Sequence, residues 1–223
     1  MRFSDCRVRL YSANSVASAV NLMPDTYQCF ADLARHEESG IDYDVLVRRA
    51  RLEFAIVAPH GGGIEPGTTE IADAIAAAMF SFYTFEGLKS KGNGVLHITS
   101  THFDEPMCLT LLGQSSVVLT LHGEHSEEDG EGVFVGGLDE ALGAQIGTAL
   151  TRKGFDVRKH RDRKLQGLEP NNLCNRGTSN AGVQLELSKA VRKTLFKSLT
   201  REGRKETTPR FDVFVSAVRT VVK

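Results

Sequence analysis

"LEFAIVAPHGGGIEPGTTEIADAIAAAM", residues 52–79, holds the reading on which the fold turns. Leu52 to Ala58 form a short apolar run that stops at Pro59, the pattern of a buried strand. Beyond the glycines, Pro66 suits a first helical turn, and Ile71, Ala74, Ile75, Ala78 and Met79 recur at helical spacing. Strand, loop and helix follow one another without a spacer.

Outward from this unit the alternation continues. Phe82–Phe85, Val95–Thr99, Ser116–Leu121, Val133–Val135 and Val183–Leu187 read as strands. Glu105–Leu112, Leu138–Thr151, Ser188–Leu199 and Arg210 to the C-terminus read as helices. Residues 24–50 mix short helical patterns with loop signals, and residues 160–180 read as a long polar loop. Strands alternating with helices predict an α/β protein with a mixed, largely parallel sheet. No repeat or linker divides the chain, so residues 24–223 are expected to form one domain and residues 1–23 a loose leader.

Composition narrows the chemistry by exclusion. A net charge of −1 draws in neither nucleic acid nor an anionic membrane, so an anionic partner needs locally placed cations. Cys6, Cys29, Cys108 and Cys174 contain no CxxC pair and read as reduced or buried thiols. The N-terminal residues lack a signal-peptide core, and no apolar run is long enough to cross a bilayer. The default location is therefore the cytoplasm, with release on host lysis as the route to any external substrate. The sequence carries no signal for an oligomeric state.

Three consecutive glycines, Gly61–Gly63, invite a phosphate-loop reading, which fails. No Lys or Arg lies between His60 and Glu70, and Glu65 would repel an anion at the helix start. A metal suits the stretch better. His60 ends a predicted strand, where ligands bind in open α/β sheets, and the glycines let the backbone fold back until Glu65 meets it. The predicted strand at residues 116–121 also ends in histidine, His122. Two histidines and a carboxylate leave a fourth position open, the logic of a catalytic zinc site. His102 and His125 compete with His122 for the third ligand role, and His102 can also line the site without binding metal. His97, inside a strand pattern, reads as a satisfied structural histidine.

A hydrolytic site also needs a base. In Val183–Leu187 the apolar side chains alternate, so Gln184 and Glu186 share the other face. Glu186 is the candidate base. Upstream, in NNLCNRGTSN, Arg176 is the candidate to grip a carboxylate or polarise a carbonyl, with Asn175 beside it as a substrate contact.

The stretches HGGGIEPGTTEIA, HITSTHFDEP, SVVLTLHG and NNLCNRGTSNAGVQLELS together resemble the poly-γ-glutamate hydrolase family of phages and prophage-like genes. The resemblance spans roughly residues 24–200 in unbroken order. It implies a three-layer α/β/α sandwich like that of the zinc carboxypeptidases. It further implies one zinc ion held by His60, Glu65 and His122, with Glu186 as general base and Arg176 near the substrate carboxylate. Zinc carboxypeptidases space their first two ligands HxxE, whereas here the spacing is HxxxxE, which belongs to the glycine loop of the γ-glutamate family. The expected activity is zinc-dependent cleavage of γ-glutamyl amide bonds in an anionic polymer. Basic residues between Arg152 and Lys164 are the expected polyanion groove. Two rivals stand beside it: a zinc amidohydrolase or peptidase acting on a small acyl-amino acid or cell-wall peptide, and a phage protein that associates with nucleic acid. The second rival has no recognition motif to accompany its basic residues.

Overall fold

The computed structural model describes residues 25–124 and 130–222. The expected leader, Cys6 and the competing ligand His125 lie outside them. The elements, in chain order, are α1 (Phe30–Leu33), β1 (Tyr43–Arg48), β2 (Arg51–Gly62), α2 (Thr68–Ala76), β3 (Phe80–Gly87) and α3 (Pro106–Leu112). They continue with β4 (Val117–Glu124), β5 (Val133–Gly136), α4 (Glu140–Arg152), β6 (Val157–Arg158), β7 (Val183–Ser188), α5 (Lys189–Leu195) and α6 (Pro209–Val221).

Among the described residues, seven strands join one sheet in the order β1-β3-β2-β4-β7-β5-β6. Strands β3, β2, β4 and β7 run parallel, while β1 pairs antiparallel with β3, β5 pairs antiparallel with β7, and β6 lies parallel to β5. The mixed, largely parallel sheet expected from the sequence is therefore present.

Helices cover both faces of this sheet. Phe54, Ile56, Ala58, Leu119, Leu121, Leu185 and Leu187 pack beneath α2, α4, α5 and α6. Ala55, Val57, Val118, Tyr83 and Phe85 pack with Leu33 of α1 and Leu111 of α3 on the other face. This double burial is why Phe54–Ala58 reads as a continuous apolar run instead of an alternating one. It is the three-layer α/β/α arrangement.

Three sequence expectations are corrected here. Val95–Thr99 is not a strand: Asn93–Leu96 form a 3-10 turn after Gly92, at φ +76°, and the chain then runs extended through His97. Conversely, β1 lies where only loops and short helices were expected. Its signal is the alternation of Tyr43, Val45 and Val47, all of which pack against the α3 side of the sheet. The α2 helix also stops early, at Ala77 with φ +45°, leaving Met79 exposed. Cys29, Cys108 and Cys174 are free and buried, as their spacing suggested.

Candidate metal centre and its surroundings

The ends of β2, β4 and β7 and the loop after β2 build the site. Strand β2 is irregular between Ala58 and Gly61. Regular alternation would turn His60 to the same side as Ala58, under α2. Instead its ring lies against Phe103, His97 and His122, so the bulge re-aims His60 to the α3 side of the sheet.

The glycine loop then turns sharply. Gly62 has φ +61°, and a Cβ on it would lie 2.6 Å from the Gly87 carbonyl. At Gly61 a Cβ would collide with the Thr69 and Thr84 hydroxyls. The Glu65 amide donates back to the His60 carbonyl at 2.8 Å, closing the turn and bringing the carboxylate beneath the histidine.

Strands β4 and β7 supply the rest. His122 is the register partner of Glu186, so the two side chains stand on one face of adjacent strands. His60 Nδ1 lies 3.1 Å from Glu65 Oε1 and 3.2 Å from His122 Nδ1. One ligand atom from each of His60, Glu65 and His122 falls within 4.8 Å of the others, and all three residues are buried. His60 Nε2 sits 2.8 Å from the Ile98 carbonyl, an acceptor only, so Nε2 carries the proton and Nδ1 offers its lone pair inward.

Electrostatics say what such a cluster lacks. Burial works against a charge on His60, but the Glu65 carboxylate overrides it and lifts His60 above its ordinary range. Burial and the neighbouring His60 push His122 down to about 3, so it stays neutral. Burial, Glu65 and Glu124 push the Glu186 carboxyl well up, while Arg192 pulls it back. Two imidazole nitrogens and a carboxylate thus converge where one positive charge is wanted. With His₂Glu donors, that is a fit for zinc.

Glu186 is held from the side. Gln184 Nε2 donates to Glu186 Oε1 at 3.0 Å and to the Leu165 carbonyl at 3.0 Å. Gln184 and Glu186 are both buried on the strand face that the alternation of Val183–Leu187 indicated.

The remaining candidates spread out. Arg176 Nη1 donates to the Phe103 carbonyl at 2.7 Å, which fixes the guanidinium beside the turn between His60 and α3. His102 is exposed on that turn. Asn175 is differently employed. Its Nδ2 donates to the Gly167 and Glu169 carbonyls, and its Oδ1 accepts from the Leu138 and Gly182 amides. The Asn175 amide is spent on holding the 167–182 loop together, so the substrate contact expected of it is not carried further.

Nor does the basic stretch form one groove. Arg152 and Lys159 line a cavity of about 600 Å³ between α4 and β5–β6, whereas Arg158 lays its guanidinium over the Phe134 ring, 5.3 Å from its centroid. The cavity-lining Val135 and Val157 pack with Leu185, on the face of the sheet opposite Glu186. His160 turns to the other side and packs edge-on against Phe134, the register partner of Glu186.

Sequence reasoning missed Arg192. Its side chain is only 1% exposed and spans three segments of the site. Nε donates to the Leu187 carbonyl, Nη1 to Pro66 and Nη2 to Glu124, at 3.2, 2.8 and 2.9 Å. Its only signal in the sequence is its place beside Val191 and Leu195 on the buried side of α5.

Comparisons with known proteins give the family and the fold. The pattern of the poly-gamma-glutamate hydrolase family matches residues 27–217. The protein YndL of Bacillus subtilis (strain 168) is 41% identical over 181 residues, 81% of this chain and 70% of its own length. The SPbeta prophage-derived protein YoqZ of the same strain is 37% identical over 199 residues, 89% of this chain and 69% of its own. Among solved structures, a bacteriophage poly-gamma-glutamate hydrolase superposes with a TM-score of 0.85 at 34% identity, covering 89% of this chain and 96% of that one. YndL, solved in a zinc-free form, superposes with a TM-score of 0.83 at 37% identity, covering 89% and 97%. With nearly the whole described chain matched in sequence and in fold, the chain belongs to the poly-γ-glutamate hydrolase family.

Proposed function

We propose that this chain hydrolyses γ-glutamyl amide bonds of poly-γ-glutamate, using one zinc ion held by His60 Nδ1, Glu65 and His122 Nδ1. The convergence of those three donors beside Glu186, on the parallel strand ends, carries the reading. Zinc bound in such a set supplies Lewis acidity, polarising an amide carbonyl and bringing the pKa of water down to roughly 7.

The chain's own groups do the rest. Gln184 holds Glu186 Oε1, so Oε2 is the atom that takes the proton from the attacking water and passes it to the leaving amine. Arg176, anchored through Nη1, keeps its other N–H groups for a substrate carboxylate, and His102 borders the same approach. Glu65 accepts from the Gly123 amide at 2.8 Å through Oε2, which fixes the carboxylate between β2 and β4.

Metal dependence is testable directly. The purified protein is expected to contain zinc, to lose turnover of poly-γ-glutamate on chelation and to regain it when zinc is returned. Glu65→Gln is expected to lower zinc content below one per chain; full retention removes Glu65 from the ligand set. Turnover of a small acyl-amino acid or a cell-wall peptide, with none of the polymer, would replace the substrate while keeping the metal. No described helix is long and apolar enough to cross a membrane.

A further inference from the structure

We infer that Asp25 is a positioning residue for the metal centre, acting on both histidines through the segment His97–Ser100. The inference rests on the zinc reading above. Asp25 lies at the edge of the stretch read from the sequence as a leader, and no motif marks it.

The geometry links the two in three steps. The outer nitrogens of the histidines both meet one short segment: His60 Nε2 donates to the Ile98 carbonyl, and Ser100 Oγ lies 3.4 Å from His122 Nε2. That segment belongs to no named strand. It is held at its ends by the His97 amide donating to the Gly94 carbonyl and the Leu173 amide donating to the Ser100 carbonyl, by a turn in which the His102 and Phe103 amides donate to the Thr99 carbonyl, and at its centre by the Asp25 carboxylate, 74 residues away from Thr99. Asp25 Oδ2 accepts from the Thr99 amide at 2.6 Å, and Oδ1 accepts from His97 Nδ1 at 2.7 Å.

The two bonds bracket Ile98. One grips the residue before it and one the residue after, so the Ile98 carbonyl cannot rotate without breaking an Asp25 contact. His97 adds a second constraint, because its ring packs on His60 with centroids 4.1 Å apart. Burial opposes a charge on Asp25, but the bonds from His97 and Thr99 outweigh it and hold the carboxyl below its usual range. Both contacts are therefore charge-assisted, the stronger class of hydrogen bond. A histidine whose outer N–H is held by a fixed acceptor is pre-aligned as a ligand, and losing such support costs roughly 10–100-fold in metal affinity. Asp25 acts one bond further out than the carbonyl itself, but on both histidines together.

The experiment measures zinc dissociation constants by competition with a chromophoric chelator. It uses the wild-type protein, Asp25→Ala and Asp25→Asn, alongside the melting temperatures of the zinc-free forms. Asp25→Ala is expected to bind zinc about 10–100-fold more weakly. Asp25→Asn, which can still accept from Thr99 but offers His97 no charge, is expected to fall between. It also decides the matter if the alanine variant does not fold. The visible spectrum of the cobalt-substituted variants is expected to shift from that of wild type, since ligand orientation changes. A purely structural residue would lower the zinc-free melting temperature and leave zinc affinity unchanged, and that result overturns the inference alone. Absence of zinc binding in the wild-type protein overturns the inference together with the zinc reading.

Discussion

Glu186→Gln is expected to reduce turnover of poly-γ-glutamate by about 10²–10⁴-fold, with zinc content unchanged. The substitution is isosteric and removes only the ability to accept and return a proton. The Gln184 contact to Oε1 survives, because the glutamine side chain keeps a carbonyl oxygen for it. The proposed ligand atoms of His60, Glu65 and His122 are untouched.

Stability should move the other way in the zinc-free protein. Burial, Glu65 and Glu124 raise the Glu186 carboxyl well above its ordinary range. The folded chain therefore binds this proton more tightly than the unfolded chain, so native stability is lost as pH rises past the unfolded pKa of roughly 4.3. A neutral glutamine avoids that loss, and the zinc-free variant is expected to melt higher than zinc-free wild type at pH 7. Calorimetry on chelated samples reads the second effect, and steady-state rates with metal analysis read the first. Turnover within tenfold of wild type would remove Glu186 as the base.

The parts of this site legible in the sequence share one property: their side chains and their backbone positions point to the same place. His60 and His122 close short apolar runs bounded by turn residues, which read as buried strands, and Glu65 follows glycines that let the backbone turn back on itself. Glu186 stood out because the apolar alternation of β7 puts a carboxylate, with Gln184, on the face opposite Val183, Leu185 and Leu187. The stretch Val95–Thr99 misled because its apolar residues imitate a strand, whereas Gly92 and Gly94 bend the chain into a 3-10 turn. Tertiary contacts from Asp25, Leu173 and His60 tell that segment where to lie.

The same reason explains the basic stretch. Lys159 sits between Arg158 and His160 in sequence, yet it lines the α4 cavity while both of its neighbours pack on Phe134, the register partner of Glu186. Sequence proximity shows that charges are near one another, but not which side of a sheet they serve. Asn175 illustrates a further limit. An asparagine beside a candidate arginine looks free in the sequence, and only the fold shows four backbone groups already using its amide.

Arg192→Met is expected to cost the protein on the order of 3–5 kcal/mol, the range seen when one member of a buried charged set is removed. For a chain of this length that corresponds to a fall in melting temperature of roughly 10 °C. The methionine is a fair match for the aliphatic part of the side chain, so the loss comes from the guanidinium. Three backbone carbonyls, at Pro66, Glu124 and Leu187, lose their donor at once. Each belongs to a different segment: the loop after Glu65, the end of β4 and the end of β7. Glu65, Glu124 and Glu186 also lose the cation whose charge acts on all three. Packing gives no slack in which to recover, since even a Cβ on Gly123 would stand 2.6 Å from the Arg192 guanidinium carbon and 2.9 Å from Glu65 Cβ. Arg192→Lys keeps the charge but cannot reach three carbonyls with a planar fork, so it is expected to recover only part of the loss. Thermal melts of both variants, with and without zinc, read the result. An Arg192→Met protein that melts within about 2 °C of wild type would mean the guanidinium is not what holds these three segments together.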